Sequence, residues 1–286
     1  MIKNLNILLS NNIKEDNYSQ ALALKNEGFI LYRGNFNIGN NVVMHPQERK
    51  SAYTSNIYTC LMSEILPSWK DYPKRNHSII CSTSLDKAEQ YYDGMNRIIY
   101  NILPSNNTKI AIASESDLWD SFPYMSTEMF SMKKLQLCHF NKGLLLFMSY
   151  IISMIPKTSK YYSIKYNNEI KIETIFKYND IDTILLLFNT IEQFILNDFG
   201  EFDEGDLVPF CKNKESLLIL TKFMTYLINK IKNGNTLVNI LDHVFDPNLN
   251  KFTLTNINNI NTKNNIFKNN EVWFDSSCLA VKMMEE

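Results

Sequence analysis

The spacing of apolar positions changes twice along the chain and divides it into three zones. Up to about residue 124, short apolar runs alternate with turn residues. A helix over 19–26 is stopped at Gly28, and "FILY" (29–32) then reads as a strand ending on Arg33, followed by Gly34. "SAYTSNIYTCLMSEI" (51–65) carries Tyr, Ile and Leu at helical spacing until Pro67 ends it. "HSIICSTS" (77–84) and "TKIAIAS" (108–114) read as strands. "SLDKAEQYYDG" (84–94) reads as a helix opened by Ser84 or Asp86, with Gly94 just past its end.

From about 125 to 235 the period becomes helical. "DIDTILLLFNTIEQFILNDFG" (180–200) has Asp180 or Asp182 placed to cap it and Gly200 to end it, and "ESLLILTKFMTYLINKIKNG" (215–234) stops at Gly234. "GLLLFMSYIISMIP" (143–156) falls short of the 20 or so apolar residues that a membrane span needs, so a buried helix is expected. These runs predict a bundle of at least three helices whose Leu, Phe and Met stripes form its core. Strand patterns then return. A short helix runs from 236 to Phe245, "FDPNLNKFTLTN" (245–256) is a turn and a strand, and an Asn-rich linker leads to Asn270. "EVWFDSSCLAVK" (271–282) reads as two short strands around a turn. The fold class expected is α+β: a strand-containing core formed by 1–124 and 236–286, interrupted by a helical insertion over 125–235.

Composition narrows the function classes. Lys and Arg total 29 against 30 Asp and Glu, a net charge of -1, and no basic block supports a nucleic-acid partner. The 45% apolar and 21% charged fractions are those of a folded protein. Five cysteines without a CxxC pair suit neither a disulfide framework nor zinc, and the four histidines lack ligand spacing. The start, "MIKNLNILLSNNIKED", has no small-residue cleavage site, so an intracellular, reduced and metal-free protein is expected. "GEFDEGD" (200–206) lacks the alternating ligands of a calcium loop and reads as an exposed acidic turn. No glycine-rich phosphate loop, GxSxG elbow or zincin helix occurs.

Three short pieces remain, in a fixed order. "LYRG" places Arg33 and Gly34 at a strand end. "SIICSTS" places Ser82, Thr83 and Ser84 between a strand and a helix that carries Tyr91 and Tyr92. "NNEVWF" places Glu271 at the start of a strand. Each alone has an ordinary structural reading, as a strand-end arginine, a helix cap and an exposed carboxylate. Together they resemble the arginine–serine–glutamate branch of the ADP-ribosyltransferase superfamily. "RKSAYTSNIYTCLMSEILPSWKDYPKRNHSIICSTS" and "EVWFDSSCLAV" are similar to transferase-like proteins of large bacteriophages. The resemblance covers roughly 29–122 and 236–282 and leaves out the central helices.

The resemblance implies a split-sheet transferase core, NAD as substrate, no metal, and transfer of ADP-ribose to a macromolecule, in this case a host protein. It implies that Glu271 is the catalytic carboxylate near the reacting ribose, that Ser82 orients it, and that Arg33 binds a phosphate or ribose oxygen. Gly34 would offer its backbone to the nicotinamide amide, Thr83 and Ser84 would line the NAD site, and Tyr91 or Tyr92 would stack on the nicotinamide ring. Members that modify arginine carry Glu or Gln two residues before the catalytic Glu; here that position is Asn269, which leaves the acceptor open. An NAD glycohydrolase and a catalytically silent interaction or virion protein are the alternatives. The expected location is intracellular, the host cytoplasm for a phage protein, without a membrane partner.

Overall fold

A computed structural model describes residues 15–48, 59, 61–90, 98–122, 124, 226, 229–230, 232–262 and 267–283. Tyr91, Tyr92, the first eight residues of the run at 51–65, the acidic turn at 200–206, the helical runs at 143–156 and 180–200, and fourteen of the twenty residues of 215–234 lie outside the described residues. Backbone contacts divide the chain into two units, one of Met1–Lys50, Asp71–Ser121 and Lys251–Glu286, the other of Ser51–Lys70 and Phe122–Asn250. The sequence boundaries had left 51–70 and 236–250 with the strand-containing core; here both fall in the second unit.

In the first unit, helix α1 (Ser19–Asn26) buries Ala21 and Leu24. It ends because Gly28, at φ 93°, turns left-handed. That lets Phe29 N–H donate to Leu24 O (2.9 Å) and Gly28 N–H to Lys25 O (3.0 Å), the paired closing bonds of a Schellman motif. The strands follow as β1 (Leu31–Asn35), β2 (Asn41–Met44) and β3 (Ile79–Ser82). Helix α2 (Leu85–Gln90) precedes β4 (Ile98–Pro104) and β5 (Lys109–Ile112). In the second unit lies helix α3 (Leu237–Val244), and the chain closes in the first with β6 (Thr253–Asn256), β7 (Glu271–Phe274) and β8 (Cys278–Lys282).

The eight strands among the described residues form one open antiparallel sheet in the order β2-β8-β4-β1-β3-β7-β5-β6. The protein is therefore α+β, as its sequence pattern predicts. β4 pairs with β1 over 98–102 and with β8 over 100–104, and Tyr100, Ile102 and Leu103 are buried on its two faces. β7 and β8 are separated by three residues of sequence yet do not pair with each other. β7 lies between β3 and β5, while β8 lies between β4 and β2. The crossing is tied to the turn after β4, where Ser105 N–H donates to Ser277 O (3.1 Å) and the hydroxyls of Ser276 and Thr108 meet at 2.7 Å.

One seam in this sheet is thin. β1 and β3 share a single registered pair, Tyr32 with Ser82. Everywhere else neighbouring strands hold two to five pairs. β1 itself does not stop at Arg33; pairing with β4 carries it on through Gly34 to Asn35.

The second unit is described mainly around α3. Thr236 caps it by accepting the Asn239 N–H (3.2 Å). Ser68 N–H donates to Asp242 Oδ1 (2.9 Å), and Trp69 Nε1–H donates to Phe245 O (2.9 Å). These bonds explain why 67–69 belongs with α3 rather than with the sheet. Thr236→Ala is expected to cost about 1 kcal/mol. A drop in the urea midpoint would register it, and an unchanged midpoint would show that the cap adds nothing. Among the described residues, no helix is long and apolar enough to cross a membrane.

Candidate functional site

Ser82 is the last residue of β3 and Glu271 the first of β7, and the two pair directly. Ser82 in turn pairs with Tyr32 on β1. Tyr32, Ser82 and Glu271 thus form one row across three strands, about 10 Å from end to end at ordinary strand spacing. Directly opposed residues of antiparallel strands share a face, so the three side chains leave the sheet on one side.

Glu271 is only 3% exposed. Its backbone is held on the β5 side, where its N–H donates to Glu115 O (3.0 Å) and its O accepts Ala113 N–H (2.8 Å). Both carboxylate oxygens are engaged. Oε1 forms an ion pair with Arg75 Nη1, and Oε2 accepts the Leu118 N–H at 3.4 Å. The guanidinium of Arg75 lies over the Trp273 ring, 5.2 Å from its centroid. The backbone on either side of Arg75 is anchored as well. Trp273 Nε1–H donates to Pro73 O (3.0 Å), and Ser78 Oγ donates to Arg75 O (3.0 Å).

The three residues of the Ser-Thr-Ser run do three different things. Ser82 Oγ accepts the Ser84 N–H (3.0 Å), and the described contacts of the carboxylate are with Arg75 and the Leu118 N–H, not with the Ser82 hydroxyl expected there. Thr83 clasps the residue before Glu271: its N–H donates to Asn270 O (3.0 Å), and its Oγ1 accepts the Asn270 N–H (2.8 Å). Ser84 opens α2, its Oγ accepting the Lys87 N–H at 3.4 Å. The run therefore fixes where β7 begins. Asn270 adds a bond from its Nδ2 to Ala113 O (2.8 Å). Asn269 is exposed, at a left-handed φ of 64°. Such a conformation is tolerated by Asn better than by most residues.

Arg33 stands one residue beyond the last registered pair of the β1–β3 seam. Strand alternation turns it to the opposite side of the sheet from Glu271, the side of Cys81 and Val272. Its Nη1 donates to Ile80 O (2.5 Å), a carbonyl next to where the ladder opens. Arg33 thus bridges the seam. Gly34, next in β1, pairs with Ile99 of β4.

Cys81 lies beside this arginine. Burial pushes its thiol up to about 12, a shift that Arg33 opposes and Glu271 reinforces. A thiol held protonated is a poor nucleophile. Iodoacetamide in mildly alkaline buffer is expected to spare Cys81 in the folded protein and to label it in urea. Peptide mass spectrometry reads both, and labelling of the native chain at Cys81 would contradict this assignment.

Sequence reasoning passed over Arg75. It sits in the polar stretch "DYPKRNHS", which carries no periodicity, and its partner is 196 residues away. Among the described residues, no group of three or more His, Cys, Asp or Glu side chains could hold a metal ion. The chain matches no protein-family model, no curated protein and no solved structure.

Proposed function

We propose that this chain is an NAD-dependent mono-ADP-ribosyltransferase that moves ADP-ribose from NAD to a macromolecular acceptor, a host protein. The observation that carries the reading is the row Tyr32–Ser82–Glu271 at the seam beside Arg33, in a sheet whose halves meet at one registered pair. The row brings the serine and glutamate strands together beside the arginine strand, which supports the transferase reading. In this reading the bond between nicotinamide and ribose breaks with its electron pair leaving on nicotinamide, and the sugar develops oxocarbenium character. The negative charge of Glu271 stabilises that cation, and an acceptor nucleophile then forms the new bond to the same carbon. Arg33 leaves the sheet on the side opposite Glu271 and gives one donor to Ile80 O, so its assignment to a phosphate or ribose oxygen of NAD rests on the family resemblance alone. Gly34, Ser82, Thr83, Ser84, Tyr91 and Tyr92 complete the NAD site.

Two observations favour the alternatives. Asn269 stands where arginine-modifying members carry Glu or Gln, which favours hydrolysis of NAD or an acceptor other than arginine. The 3% exposure of Glu271 favours a silent interaction protein, because a substrate needs access to its carboxylate. Incubation with labelled NAD and a host-cell lysate separates all three. Protein label with nicotinamide release is the expected result. Nicotinamide release without label identifies a glycohydrolase, and neither signal identifies the silent protein.

A further inference from the structure

We infer that Arg75 is the positioning residue of the catalytic carboxylate: it pairs with Glu271 and fixes its orientation, an assignment that rests on the transferase reading. Glu271 has been taken out of water, and a buried carboxylate needs a partner that stays charged. A guanidinium is effectively always protonated and presents its donors in a rigid plane. The Arg75 side chain is itself only 11% exposed, and it meets Oε1 while the Leu118 amide meets Oε2. Both oxygens are therefore directed by the protein before any substrate arrives.

Arg75 is built in rather than hung from a free loop. Its guanidinium stacks on Trp273, whose indole N–H holds Pro73 two residues upstream, while Ser78 holds the Arg75 carbonyl. Trp273 belongs to β7, the strand that Glu271 opens. The same four-residue strand thus supplies the carboxylate and the platform that places its counter-charge. A side chain meant to swing aside would not have its backbone tied at both ends. Arg33, by contrast, is turned to the other side of the sheet and tied to Ile80 O, so of these two arginines Arg75 is the one that acts on Glu271.

The test is steady-state nicotinamide release from NAD by full-length Arg75→Ala and Arg75→Lys, with circular dichroism and thermal melting confirming folded protein. Arg75→Ala is expected to lower kcat by about 10–100-fold, as losing an outer support of a reacting group does. KM for NAD should change little, because Arg75 touches the carboxylate and not the substrate. Added ethylguanidinium should restore part of the lost kcat in Arg75→Ala and do nothing for wild type. Arg75→Lys keeps the charge without the planar fork and should fall between. A folded Arg75→Ala with kcat at or above the wild-type value overturns the assignment, as does a rise in KM with kcat preserved. If Arg75→Ala does not fold, Arg75→Lys decides alone, and an unchanged kcat in it is the overturning result. A wild-type chain that releases no nicotinamide overturns the transferase reading and this assignment together, whereas an active wild type with an active Arg75→Ala removes Arg75 only.

Discussion

Glu271→Gln is expected to reduce both ADP-ribose transfer and NAD hydrolysis on the order of 100- to 1000-fold, the usual cost of removing a preorganised electrostatic stabiliser. The substitution keeps side-chain length and retains an oxygen that can face Arg75, but it removes the negative charge. That charge matters most when the ribose becomes cationic, so kcat should carry the loss and NAD binding should change far less. Arg33→Ala should show the opposite emphasis and weaken NAD binding itself. The fold must be checked in parallel. An amide at 271 leaves the buried Arg75 without its counter-ion, and breaking one side of a buried pair typically costs about 3–5 kcal/mol. A thermal melt separates a lost charge from a lost fold. If the wild type is active and folded Glu271→Gln keeps full activity, Glu271 is not the catalytic carboxylate.

Much of what places Glu271 was legible as local pattern. The apolar runs that became β3, β5, β6 and β7, the glycine stop at Gly28, and the Thr236 helix each carry their cause within a few residues. β4 was not recognised, because "IIYNILP" is apolar on both faces and lacks the alternation that marks a half-buried strand. β2 was not recognised either, because "NVVM" offers two β-branched residues between the turn-forming "NIGN" and "HPQ". Pairing was the harder matter. "EVWFDSSCLAVK" invites a hairpin by its closeness in sequence, yet the two strands enter different halves of the sheet, a choice set by partners more than 150 residues upstream.

The site shows the same limit. Ser82 and Glu271 were placed at strand ends by their surroundings, and they pair. What the Ser82 hydroxyl does was not legible, because its bond to the Ser84 amide is set by the turn from β3 into α2. Thr83 and Arg75 have their partners at Asn270 and Glu271, and nothing in their own neighbourhoods announces either contact. Residues whose roles depend on long-range register become visible only once the register is known.

Trp273→Ala should be the most damaging substitution to the fold, and it should reach the site as well. Trp273 is 1% exposed, paired with Ile80 on one side and Ala111 on the other, and it meets Phe252 edge-on at 6.1 Å. Truncating a buried Trp to Ala typically costs about 3–5 kcal/mol through lost transfer energy and the cavity left behind. Against a total stability of roughly 5–15 kcal/mol, that brings the protein close to unfolding under ordinary conditions. Trp273→Phe divides the effect. A phenyl ring keeps most of the volume and a face for Arg75, but it has no N–H for the Pro73 carbonyl, a loss of about 1–3 kcal/mol where that carbonyl stays buried. The first unit should therefore unfold at clearly lower urea in Trp273→Ala and at moderately lower urea in Trp273→Phe. Folded Trp273→Phe should also lose kcat, because the segment that delivers Arg75 to Glu271 has lost the bond that holds Pro73. A Trp273→Ala midpoint equal to wild type would refute the packing argument. A Trp273→Phe variant that is destabilised yet fully active would separate the anchor from the chemistry.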